Sequence, residues 1–152
     1  MRVADSRWLS TVQQHDWRAY IEGSARLVDA LEHDLKTRHG LALAEYEILV
    51  RLSEAPQRRL RMAELAASAI QSRSRLTHTV ARMESKGLVS RAECPSDKRG
   101  VYAALTEAGF ATLTRAAADH VSAVRELFVD VIDPDDFVAL GRAFRAIGER
   151  LG

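Results

Sequence analysis

Cysteine is almost absent: Cys94 is alone in a chain of 152 residues. That excludes an intramolecular disulfide and a zinc module built on several cysteines. No apolar run approaches the ~18–20 residues that cross a bilayer, so no membrane partner is expected. The eight glycines are spread toward element ends and form no phosphate-cradling loop. A G-x-S-x-G elbow and a cysteine–histidine pair at useful spacing are missing too, and the chain does not read as an enzyme. Met1 to Ser10 is polar and charged, unlike a secretory signal, and a cytoplasmic protein is the simplest expectation. Hydrophobic residues at 47% and charged residues at 28% supply core enough for one subunit over residues 1–152.

The charge that is present is unevenly placed. The formal net charge is only +1, yet Arg58 to Thr106 holds ten Lys/Arg against four Asp/Glu. The rest of the chain holds 12 basic and 17 acidic residues. A basic middle between acidic flanks points to a polyanion partner, with a solvated basic face as the plainer alternative.

Hydrophobic spacing gives a mainly α reading with a small β element, an α+β chain. Leu9, Val12, Trp17, Tyr20, Leu27, Leu31 and Leu35 recur at helical steps, predicting a first helix over Ser6–Thr37 that stops at Gly40. A second runs over Ala44–Glu54, with Tyr46, Ile48, Leu49 and Leu52 inward, until Pro56 breaks it. Two short helices follow: Arg61–Ala69, then, after a turn at Ile70-Gln71, a helix capped by Ser72 that runs to Lys86 and Gly87. This pairing is a helix-turn-helix. Leu88–Glu93 and Val101–Leu105 are β-compatible runs, and residues 94–100 between them are rich in turn formers, giving a hairpin with a basic tip. A long helix from Thr106 to about Asp130 and a last one opening at Asp133-Pro134 complete the chain. Residues 44–106 thus form a winged helix-turn-helix lobe, and residues 6–38 and 107–150 form helical flanks. Leu113, Val121, Val124, Leu127, Phe128, Val131, Phe137, Leu140, Phe144 and Ile147 would leave an apolar stripe on a lone subunit, so an obligate homodimer is expected.

On a helical wheel with Leu76 at zero, Val80 falls near about 40° and Met83 near about 340°, and these three form the inward face. Ser74, Arg75, Thr77, His78, Ala81, Arg82 and Ser85 fall outside it, and Glu84 leans toward the core side. Two arginines among small polar residues suit a major groove of double-stranded DNA. Ser72 and Arg73 stand at the helix N-terminus, where free N–H groups favour a phosphate. At the hairpin tip, Lys98 and Arg99 reach toward phosphates or a narrow minor groove. Asp97 beside them is expected to fix an arginine or the loop backbone.

The stretch Asp97-Lys98-Arg99-Gly100-Val101-Tyr102-Ala103-Ala104-Leu105-Thr106 resembles the D-x-R-x5-L-T wing signature of MarR-type regulators. Leu60-Arg61-Met62-Ala63-Glu64-Leu65-Ala66 and Val80-Ala81-Arg82-Met83-Glu84-Ser85-Lys86-Gly87-Leu88-Val89 resemble that family's helix-turn-helix. The resemblance spans essentially the whole chain. It implies a dimer joined by its terminal helices, with two winged lobes on a pseudo-palindromic operator and repression relieved by a small aromatic or phenolic ligand. By the same match Arg99 is the minor-groove arginine, Asp97 its orienting partner, and Ser72, Arg73, Ser74, Arg75, Thr77, His78 and Arg82 lie on the recognition helix. A helical protein-interaction module that keeps the winged fold without specific DNA binding is the alternative.

The sensing sites are weaker expectations. Peroxide-sensing members carry their cysteine near the first helix, so the resemblance lends Cys94 no redox role. Asp29, His33 and Asp34 lie near one another, but no paired-histidine spacing supports a metal, and no cofactor is expected. His15, Trp17, Tyr20 and Arg26 offer aromatic walls and a cation for an effector, while Trp17 and Tyr20 serve equally well as packing at the subunit contact.

Overall fold

Ser10 opens the first helix. Its hydroxyl accepts from the Gln13 amide at 3.2 Å, and the Gln13 side chain accepts from the Ser10 amide at 2.9 Å. This reciprocal capping box starts α1 at Thr11, later than Ser6 as the periodicity predicts, and α1 runs to His39. Gly40 ends it at φ 66°, with its amide on the Lys36 carbonyl. The computed structural model describes residues 7–69 and 71–152; Ser6, Ile70 of the helix-turn-helix turn and the Lys98 side chain lie outside the described residues.

α2 spans Leu43–Glu54 and presents Tyr46, Ile48, Leu49 and Leu52 inward, as the spacing predicts. Pro56 opens a 3-10 turn to Arg58 in which Gln57 and Arg58 take left-handed backbone, at φ 55° and 53°. That turn throws the chain into a strand absent from the sequence reading, β1 (Arg59–Arg61). Three residues are too few to reveal an alternation, and only pairing with a distant strand defines this one. α3 accordingly begins one residue late, at Met62, and ends at Ser68. α4 spans Arg73–Ser85, with the Ser72 hydroxyl accepting from the Arg75 amide at 3.2 Å. Gly87, at φ 74°, turns the chain out of it.

β2 (Val89–Cys94) and β3 (Asp97–Leu105) form the antiparallel wing, and the three-stranded sheet has the order β1-β3-β2. The hairpin is tighter than the expected loop over 94–100. Cys94 pairs directly with Asp97, while Glu93 pairs with Val101, so residues 98–100 bulge from β3. Thr106 then caps α5 (Glu107–Val124): its hydroxyl accepts from Gly109 N at 2.9 Å and donates to the Gly87 carbonyl at 2.7 Å. A Cβ at Gly109 would collide with the Leu88 carbonyl, so the exit of the wing sits hard against α5. A π-turn (Arg125–Val129) leads to α6 (Pro134–Leu151), capped by Asp133 with Pro134 in its first turn. Among the described residues no helix is long and apolar enough to cross a membrane.

One core holds this together. Leu35 and Leu41 meet Ile48, Leu49 and Leu52 of α2, Leu65 of α3, Leu76, Val80 and Met83 of α4, Val89 and Ala103 of the wing, and Leu113 and Ala116 of α5. Each large side chain so buried contributes about 1.5–3 kcal/mol. The ends of the chain differ. No residue of α6 is buried, and α1 buries only Leu31 and Leu35. Tyr20 of α1 and Phe144 of α6 meet with ring centroids 5.6 Å apart, yet both stay more than 40% exposed.

Candidate nucleic-acid interface

The inward side of α4 is as the wheel predicts: Leu76, Val80 and Met83 are buried, joined by Thr79. The Thr79 hydroxyl lies inward because it donates to the Arg75 carbonyl at 3.0 Å, which satisfies it without water. Ser72, Arg73, Ser74, Arg75, Thr77, His78, Arg82 and Ser85 are exposed. Arg73 and Arg75 form no ion pair among the described residues. Thr77 donates to the Arg73 carbonyl at 2.8 Å, leaving its oxygen free to accept.

Two carboxylates fix α4 from behind. Glu45 of α2 is only 2% exposed. It takes both its oxygens to Lys86 Nζ, at 3.0 and 2.9 Å, and lies 3.9 Å from Arg82 Nε. One arginine of the outward face is therefore tethered by an acid from another helix, which no reading of α4 alone reveals. Glu84 accepts from the Arg91 amide at 2.9 Å and from its guanidinium at 3.0 Å. Those hydrogen bonds hold its carboxyl below the usual range and bind α4 to β2.

The wing is ordered by Asp97. One oxygen accepts from the Arg99 amide at 3.0 Å; the other faces Arg61 Nη1 at 3.9 Å. Asp97 thus orients Arg99 through the backbone, and its side-chain partner is Arg61, a residue that sequence reasoning left on the helix. The Arg99 side chain is exposed and forms no ion pair among the described residues. Lys98 lies in the same bulge. Between α4 and the wing lies a cleft of 420 Å³ lined by Arg61, Arg73, Arg91 and Arg99 over Leu76 and Val101. Arg61 and Arg91 are the missed members. The signal for both was weak, since isolated arginines in short strands look like ordinary surface.

Cys94 stands at the base of the wing, 2% exposed. The Ser96 hydroxyl, 3.3 Å away, and the Ser96 amide pull its thiol down to about 7, with the Arg61 charge a smaller contribution.

The expected effector residues do not converge. His15 pairs with neighbouring Asp16 at 3.2 Å, Arg26 is exposed, and the Trp17 ring lies against Tyr20 at 5.7 Å. Of the four, Tyr20 alone lines the 970 Å³ groove between α1, α2 and α4, together with Asp29, Glu32, Glu47, Arg75 and Arg82. Asp34 is engaged by Arg38 at 2.8 Å, and Asp29, His33 and Asp34 do not gather as metal ligands; among the described residues no metal-binding cluster is present.

A recognition-type helix held by a neighbour, followed by a two-stranded wing that pairs with the preceding β1, defines a winged helix-turn-helix protein. The MarR family profile matches residues 41–101. AbsC, a MarR family transcriptional regulator from Streptomyces coelicolor, is 44% identical over 96% of this chain and 98% of its own, with a TM-score of 0.92. Sco3205, a MarR family transcriptional regulator from the same organism solved in complex with DNA, is 45% identical over 97% and 92%, with a TM-score of 0.94. A mutant MarR from E. coli complexed with operator DNA is 23% identical over 86% and 91%, at a TM-score of 0.75, a likeness of fold. No curated protein sequence gives a significant match. The chain belongs to the MarR family, and these relatives are transcriptional regulators rather than enzymes.

Proposed function

We propose that the protein is a sequence-specific DNA-binding transcriptional repressor that works as a homodimer on a pseudo-palindromic operator. The observation that carries this reading is the cleft between α4 and the wing. Arg73 of α4 and Arg99 of the wing both line it and form no ion pair among the described residues, Asp97 being the cleft's one acid, and the exposed Arg75, Thr77 and His78 lie on the same helix as Arg73. α4 enters the major groove, Ser72, Arg73 and Ser74 meet the phosphates at its N-terminus, and Arg75 or Arg82 reads a base edge. Arg99 enters the minor groove, with Lys98 on the backbone beside it and Asp97 holding the loop. The exposed apolar faces of α1 and α6 pair two copies, which places the two α4 helices on successive turns of one face of the duplex. A small aromatic ligand in the α1–α2–α4 groove, against Tyr20, modulates affinity by changing the angle between lobe and arms.

The test is selection of bound duplexes from a random pool by the purified protein, at low and at moderate salt. An inverted repeat with half-sites about one helical turn apart supports the reading. Recovery of no consensus, with binding lost at moderate salt and a stable complex with another protein, supports the interaction-module alternative instead.

A further inference from the structure

We infer that Arg61 is the positioning residue of the wing, a clasp that sets where Arg99 points without itself touching DNA. The inference rests on the DNA-binding reading above, but its geometry is independent of it. Arg61 is fixed at its own backbone: it pairs with Tyr102 across the β1–β3 ladder, and its amide donates to Glu64 Oε2 at 3.1 Å at the start of α3. From that anchor its guanidinium divides. Nη2 donates to Cys94 Sγ at 3.5 Å, Nη1 lies 3.9 Å from Asp97 Oδ2, and the group sits 5.8 Å from the centre of the Tyr102 ring. The first contact holds the last residue of β2, the second holds the first residue of β3, and the two bracket the hairpin turn. Asp97 passes the constraint on, since its other oxygen takes the Arg99 amide at 3.0 Å. The bracket is closely packed: a Cβ at Gly100 would lie 3.2 Å from Cys94 Cβ and 3.7 Å from Arg61 Nη1.

A forked, planar donor suits this position. Cys94 Sγ and Asp97 Oδ2 are engaged at once by two different nitrogens, and an ammonium offers a single centre. Lysine would therefore keep the charge and lose the clasp. A residue that met a phosphate directly would behave in the opposite way, because lysine is an adequate phosphate partner.

The experiment has two parts. In the free protein, amide hydrogen exchange is followed at Arg99 in the wild type, Arg61→Lys and Arg61→Met. Arg99 exchange about tenfold faster in both variants, with the amides of α3 and α4 unchanged, is the expected result. Unchanged Arg99 exchange overturns the inference, and this part needs no DNA. On a selected duplex, affinity is then measured for Arg61→Lys, Arg61→Met, Arg99→Ala and the Arg61→Met/Arg99→Ala pair. Each single variant is expected to lose about 10–100-fold, and the double variant no more than about twofold beyond Arg99→Ala. The salt slope falls by about one in each single variant and no further in the double. Additive losses with a slope lower by about two, or rescue by lysine, would mark Arg61 as a direct phosphate contact and overturn the clasp. A wild type that binds no duplex at all sinks the DNA-binding reading, while the exchange result still decides the clasp.

Discussion

The lobe and its helical flanks hold equal numbers of leucines, and all four phenylalanines lie in the flanks, yet the flanks leave far more of their apolar side chains open. In the lobe, Leu49, Leu52, Leu65 and Val80 are wholly enclosed. In α6, Phe137, Phe144 and Ile147 line one side of a regular helix and remain open, as do Trp17, Ile21 and Val28 of α1. Both regions carry the same helical periodicity. What separates them is whether the chain itself supplies the opposing surface. The lobe packs on its own elements and on Leu35 of α1 and Leu113 and Ala116 of α5, all within one chain. The arms carry a face of the kind that a second copy covers, and a contiguous patch of this sort is costly to leave in water. On the proposed reading, the lobe presents the arginines and the arms set the distance between two such lobes.

Leu49→Ala removes a side chain from the closed core and should cost about 2–5 kcal/mol in urea unfolding. A loss well under 1 kcal/mol would mean that the lobe is not the stable unit. Phe144→Asp puts a charge on the open face, and two copies should then separate, with DNA affinity falling about 100-fold while the lobe's far-UV signal survives. Sedimentation of a variant that stays dimeric would remove α6 from the contact. Lys86→Met strands the buried Glu45 carboxylate and loosens α4 from α2. The expected cost is about 1–3 kcal/mol, tempered because the Lys86 side chain is itself 43% exposed, and denaturant midpoints measure it.

The smallest effect lies in acid. His120 packs against Tyr46 with ring centroids 4.4 Å apart, and burial lowers its pKa below the usual 6.5, partly opposed by the charges of Asp34 and Glu47. The folded chain holds the neutral ring between α5 and α2, so this contribution is complete above pH 6.5 and is lost as the pH falls toward the lowered folded value. His120→Phe keeps an aromatic ring beside Tyr46 and should flatten the stability profile as the pH falls below 6.5. An unchanged acid limb would assign the loss to carboxylates instead.

Most of the architecture was legible because it is written locally. Ser72, Gly40, Gly87 and Asp133-Pro134 mark helix ends by their own chemistry, and the Leu76, Val80 and Met83 spacing fixes which side of α4 turns inward. What escaped depends on residues far apart in the chain. β1 exists only through its register with β3. The grip of Glu45 on Arg82 and Lys86 joins α2 to α4. The tight hairpin follows from Cys94 meeting Asp97, where the sequence offers an equally reasonable longer loop. Which residues of α1 line the groove was not legible either: Tyr20, Asp29 and Glu32 do, whereas His15, Trp17 and Arg26 of the same helix do not.

The central claim is that the arms pair two chains so that two α4–wing faces act on one duplex. It is tested most directly by the sedimentation mass of the protein alone and on a selected inverted-repeat duplex, at low and moderate salt. The account predicts two chains in free solution and two chains on one duplex, with affinity falling steeply as salt rises. A single chain in solution that binds one half-site, or a dimer that forms no complex even at low salt, would contradict it.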